Sequence, residues 1–109
     1  MTASTQLPLI VCFGDSLTAG YQTPGPANAH EQETPYGHVL QECLGDLGRV
    51  EISGICGEVT GETVLRFRGT VLDRKPPMVI ILGGTNDLGW NADPAEIMRN
   101  LVKMYESAR

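Results

Sequence analysis

Apolar residues are arranged along this chain in two distinct ways. Residues 8 to 13, PLIVCF, and residues 78 to 84, MVIILGG, are continuous apolar runs with no polar alternation. Runs of that length and kind predict strands buried on both faces, as in a parallel sheet. RVEIS, residues 49 to 53, predicts a shorter strand. Between these runs the apolar positions recur at helical spacing. Tyr36 to Leu47 carries Val39, Leu40, Cys43, Leu44 and Leu47 on one side, with Gly48 placed as a C-cap. Glu62 to Leu72 carries Val64, Leu65, Phe67, Val71 and Leu72, and Pro76-Pro77 stops it. Asp93, Pro94 and Glu96 have the N-cap, first-turn and capping-box spacing of a third helix, whose stripe is Ile97, Leu101, Val102 and Tyr105. Residues 22 to 35 and 85 to 93 have no such period and predict loops, and residues 54 to 61 predict a tight turn. The order β-α-β-α-β-α calls for an α/β fold with a parallel sheet and right-handed crossovers.

Composition narrows the function more than the fold. The 109 residues are 41% hydrophobic and 19% charged, which suits one small globular domain. A formal net charge of -5 argues against a nucleic-acid or anionic-membrane surface. The local basic cluster Arg66, Arg68, Arg74 and Lys75 is interrupted by apolar residues and reads as a solvated helix face. Three cysteines, Cys12, Cys43 and Cys56, are neither closely spaced nor even in number. They fit buried free thiols in a reducing compartment better than a disulfide framework or a zinc site. No apolar stretch reaches the length of a membrane span, and the N-terminus lacks the charge and length of a signal peptide. The expectation is a single domain over residues 1 to 109, soluble and cytoplasmic.

Each strand is followed by a glycine-marked turn: Gly14-Asp15-Ser16, Gly54 to Gly57, and Gly83-Gly84-Thr85-Asn86-Asp87. In a doubly wound sheet these three turns meet at the carboxyl edge, where ligands bind. Ser16 offers a hydroxyl at a strand-to-helix junction. Gly57 offers an amide that a ligand can approach closely, and Asn86 a neutral side-chain donor. A nucleophile with convergent donors is the layout of acyl transfer. Taken singly, each residue also has a structural reading: Ser16 as a helix cap, Gly57 as a turn glycine, Asn86 as a partner of loop amides. Asp15 and Asp87 read as structural, ordering their turns through Asx-type hydrogen bonds. Trp90 and Tyr21 are expected to line the site or pack beneath its loops.

FGDSLTAGY, ICGEVTGET and LGGTNDLGW resemble the first, second and third blocks of the SGNH, or GDSL, hydrolase family, in the family's order. The resemblance implies a flavodoxin-like three-layer α/β/α fold and hydrolysis of small or short-to-medium acyl esters. It implies Ser16 as nucleophile, with the Ser16 amide, the Gly57 amide and the Asn86 side chain as oxyanion hole, and no metal or organic cofactor. It covers the whole chain but about half of a family domain. The family's fourth block, Asp-x-x-His, which supplies the base, does not occur in these residues. Of the two histidines, His30 lies in the loop after Ser16 and is the candidate replacement base, while His38 reads as a surface or half-buried residue. An incomplete site implies weak activity. In the family's strand order the third strand would be an unpaired apolar edge, so completion by homodimerisation is expected, either through that edge or by exchange of elements between chains. The alternatives are an inert dimeric assembly module retaining a relic site and, ranked last, a phosphate-binding domain, which lacks the Walker lysine and the GxGxxG pattern.

Overall fold

A computed structural model describes residues 7–22 and 32–109. Among these described residues five strands and five helices follow in order: β1 (Leu9–Gly14), α1 (Ser16–Ala19), β2 (Tyr21–Gln22), β3 (Gln32–Glu33), α2 (Tyr36–Leu44), β4 (Arg49–Gly54), α3 (Thr60–Thr70), β5 (Met78–Leu82), α4 (Thr85–Gly89) and α5 (Pro94–Ala108). Single 3-10 turns at Gly45–Leu47 and Leu72–Arg74 extend α2 and α3.

The three apolar segments form one parallel sheet in the order β4-β1-β5. Leu9 to Gly14 run beside Arg49 to Gly54 on one side, and Ile10 to Gly14 beside Met78 to Leu82 on the other. The registers align Gly14, Gly54 and Leu82 at one end, so the turns that follow leave the sheet from one edge. A small antiparallel ladder pairs β2 with β3 inside the stretch expected to be loop.

β1 is central, and all of it but Ile10 is buried. Its alternate residues serve two layers, as the two-residue period of a strand requires. Leu9, Val11 and Phe13 join Phe67, Val71 and Met104, which places α3 and α5 on one face. On the other face α2 approaches β4 closely. A Cβ at Gly37 would lie 2.6 Å from Ile52 Cγ1, so a residue without one allows the contact. The result is the three-layer α/β/α arrangement expected.

Several local expectations give way. β5 is half-buried rather than fully buried, with Met78 54% and Leu82 41% exposed, because it lies at the sheet's edge. It ends at Leu82, before Gly84 takes φ +113°. α2 stops at Gly45 (φ +54°), not at Leu47. α3 begins two residues early, its first turn held by the Glu62 carboxylate accepting from the Val59 amide at 3.2 Å. Leu65, expected in the apolar stripe, is exposed: it sits two positions from Phe67 and so faces away from it. On α5 the inward line is the buried Ile97 and Met104 with the half-buried Leu101. Met98, Val102 and Tyr105 form a second, exposed apolar stripe beside it. Residues 85 to 89, expected as loop, form the short helix α4. Of the cysteines, Cys12 is buried, but Cys43 and Cys56 are exposed.

Candidate active site

The turn after β1 is packed from both sides. Asp15 caps α1, its Oδ1 accepting from the Leu17 amide at 3.0 Å, and its carbonyl accepts from Thr18 and Ala19. The cap is therefore Asp15, and the neighbouring Ser16 hydroxyl is not used for it. Ser16 is half-exposed at the first position of the helix. A Cβ at Gly14 would lie 2.3 Å from the Leu82 carbonyl oxygen, and one at Gly54 2.5 Å from the Ala19 amide nitrogen. Backbone-to-backbone contacts of that closeness need glycine. They press the ends of β4 and β5 against the serine turn.

In the second turn Gly57 adopts φ +80° with open space where a Cβ would stand. Here glycine is required by backbone conformation and not by crowding. In the third turn Asn86, half-buried in α4, donates from Nδ2 to the Glu58 carbonyl at 2.9 Å. That bond ties the third turn to the second and leaves the other Nδ2 hydrogen available. Asp87 is structural, though not as an Asx turn. It is buried and accepts from Thr60 across the fold: from the amide at 2.9 and 3.1 Å and from Oγ1 at 2.7 Å. It thereby anchors α4 to the start of α3.

A cleft of about 470 Å³ opens beside Gly57, between α3, α4 and α5; Glu62, Asp87, Trp90, Glu96 and Asn100 contribute to its walls. Trp90 lines this cleft and is 80% exposed, so it does not pack beneath a loop. Ser16 does not line it. Tyr21 lies in β2, partly exposed. His38 is exposed on α2 and lines a different hollow with Ala19, Glu33, Pro35, Ile52 and Gly54. His30 lies outside the described residues.

Arg66 is not on a solvated face. It is half-buried, paired with Glu58 and hydrogen-bonded to the ends of β1 and β4. No sequence signal marks this, since Glu58 and Arg66 are eight residues apart on either side of a helix start. A second polar group joins the buried Cys12 and Thr18 with the half-buried Tyr36. Neither Thr18 Oγ1 nor Tyr36 Oη has a well-aligned partner. Burial, reinforced by the neighbouring Cys12 thiol, pushes the Tyr36 phenol up to about 12. Burial also raises the Cys12 thiol.

The sequence of residues 12–109 matches the GDSL-like lipase/acylhydrolase family. The chain belongs to that family. Among solved structures it resembles AlinE4, an SGNH-hydrolase family esterase, at 29% identity and a TM-score of 0.75, with 93% of this chain and 52% of that one covered. It also resembles Est24, a carbohydrate acetylesterase from Sinorhizobium meliloti, at 25% identity and a TM-score of 0.73, covering 92% and 54%. Among curated proteins it is 35% identical over 82 residues to the uncharacterized lipoprotein YqeF of Bacillus subtilis (strain 168), covering 72% of this chain and 31% of that protein. The chain thus spans about half the length of these solved relatives. Three parallel strands and their helices are the corresponding part of an SGNH-hydrolase fold. No helix among the described residues is long and apolar enough to cross a membrane.

Proposed function

We propose that the chain is a serine ester hydrolase unit acting on small or short-to-medium acyl esters. The observation that carries this reading is the Asn86-to-Glu58 bond. It joins the donor turns of Asn86 and Gly57 at the sheet edge where the Ser16 turn leaves β1, in a chain of an acylhydrolase family. In the proposed reaction Ser16 Oγ bonds to the ester carbonyl carbon and its proton passes to a base. The carbonyl oxygen becomes an oxyanion, met by the Ser16 amide, the Gly57 amide and the free Asn86 Nδ2 hydrogen. Collapse breaks the ester C–O bond and releases the alcohol with a proton. Water then cleaves the acyl-serine to return acid and enzyme. Each hole donor of this kind is worth about 10²–10³ in turnover.

The base is the weak point. The candidate within these residues is His30, or an imidazole from another chain, and the activity proposed for the 109 residues is accordingly low, on the order of 10³–10⁴ over water. Hydrolysis of p-nitrophenyl acetate and butyrate by wild type, Ser16→Ala and His30→Ala tests this, with mass spectrometry for an acyl group on Ser16. Slow turnover abolished in Ser16→Ala is expected, and a parallel loss in His30→Ala identifies the base. Equal rates in wild type and Ser16→Ala sink the nucleophile and favour the second reading, an inert assembly module.

A homodimer is proposed as well, supported by the edge position of β5, by Met78 and Leu82 exposed on it, and by the exposed α5 stripe. A reducing, cytoplasmic setting is proposed from the odd count and wide spacing of the three cysteines.

A further inference from the structure

Arg66 contacts the ends of β1 and β4 and the residue after Gly57 directly, and reaches the third glycine turn only through Glu58. Its Nε donates to Glu58 Oε2 at 2.8 Å and its Nη2 to Glu58 Oε1 at 3.0 Å, a two-pronged pairing. The same Nη2 reaches the Gly14 carbonyl at 2.9 Å and the Ser53 carbonyl at 3.3 Å, while Nη1 donates to Ser53 Oγ at 2.7 Å. The guanidinium lies 4.2 Å over the Phe13 ring. Glu58 is in turn held by Thr63 Oγ1 at 2.8 Å, and its carbonyl receives Asn86. Gly14 precedes Ser16 by two residues, and Glu58 follows Gly57 directly. One planar fork therefore spans the nucleophile turn, the Gly57 turn and, through Glu58, the Asn86 turn.

A buried ion pair is weak evidence of stabilisation, since an apolar pair of similar size would serve the core as well. What the fork adds is geometry: five donors in a rigid plane fix several acceptors at once, which an ammonium cannot do. We propose that Arg66 is a positioning residue, holding the turns of Ser16, Gly57 and Asn86 at the separations acyl transfer needs. This rests on the serine-hydrolase reading above. Arg66 touches no reacting atom and acts through Gly14 and Glu58.

The test uses the full 109-residue chain with Arg66→Lys, with Glu58→Gln, which keeps the shape of its side chain, and with the two combined; should one single variant fold poorly, the other carries the test. Three quantities are read: kcat and KM on p-nitrophenyl butyrate, the number of serines labelled by a fluorophosphonate, and hydrogen exchange by NMR. The exchanging groups are the Ser16 and Gly57 amides and the Asn86 side-chain amide. The expected result is a roughly 10–100-fold fall in kcat per labelled serine, the size of a small misplacement, with KM within about threefold of wild type. Exchange should quicken at the three groups and stay unchanged along α5, and the double variant should be no worse than either single one. A lower melting temperature and fewer labelled serines, with kcat per labelled serine unchanged, would show a purely structural role and overturn the proposal. Wild type that neither labels nor hydrolyses would sink the serine-hydrolase reading instead. Exchange then decides alone: unchanged exchange in both variants overturns the coupling of the turns, and faster exchange at all three groups upholds it.

Discussion

At the scale of single residues, environment decides what each polar group does. Asp15 and Ser16 are neighbours, yet the carboxylate takes the capping bond and Ser16, half-exposed, takes no part in it. Asp87 was readable as a structural carboxylate, but its partner Thr60, 27 positions earlier in the chain, was not. Tyr36 illustrates the same point through its titration. Burial and Cys12 raise its phenol from 10.0 to about 12, so the folded state holds the proton more tightly than the unfolded chain does. That stabilising difference is fully present below pH 10 and is lost as pH rises through about 12. Wild type is therefore expected to lose melting temperature between about pH 10 and 12 more steeply than Tyr36→Phe, with phenolate absorbance reporting the titration. Parallel curves for the two proteins would refute this placement of Tyr36.

At the scale of elements, the close approaches are made by glycines that look alike in the sequence. Gly54 and Gly61 both read as turn residues. Gly54 instead ends β4 with the α1 backbone against it, where a Cβ would lie 2.5 Å from the Ala19 amide and 2.7 Å from the Asp15 carbonyl oxygen. Gly61 sits in the first turn of α3 with nothing within 4 Å. Gly54→Ala is expected to destabilise by about 1–3 kcal/mol through overpacking. Gly61→Ala should be neutral or stabilise by up to about 1 kcal/mol through helix propensity. Urea midpoints measured side by side check the contrast, and equal effects would contradict the packing at the β4–α1 junction. The three sheet strands were legible as apolar runs and the three main helices by their apolar period, whereas the two-residue strands β2 and β3 are too short to leave either signal. α4 was not: its five residues are too few for a period, and its hold on the fold is the Asp87 contact to a distant helix.

At the scale of the whole molecule, the strand order β4-β1-β5 gives β1 two partners and leaves β5 at the edge. A dimer through β5 is expected to scatter light as twice the 11.8 kDa chain at micromolar concentration, and Leu82→Lys, at the exposed end of β5, should shift it towards monomer. A monodisperse wild-type monomer counts decisively against the dimer. The sequence by itself determined the α/β class, the parallel sheet and the glycine-marked strand ends after which Ser16, Gly57 and Asn86 follow. Those properties follow from local period and from topology, both of which are written along the chain. Tertiary structure alone decided that Arg66 is drawn inward onto Gly14 and Glu58, that Asp87 serves Thr60, and that α5 keeps one apolar stripe exposed. Such outcomes depend on which distant residues meet in space, and neither spacing nor composition carries that information.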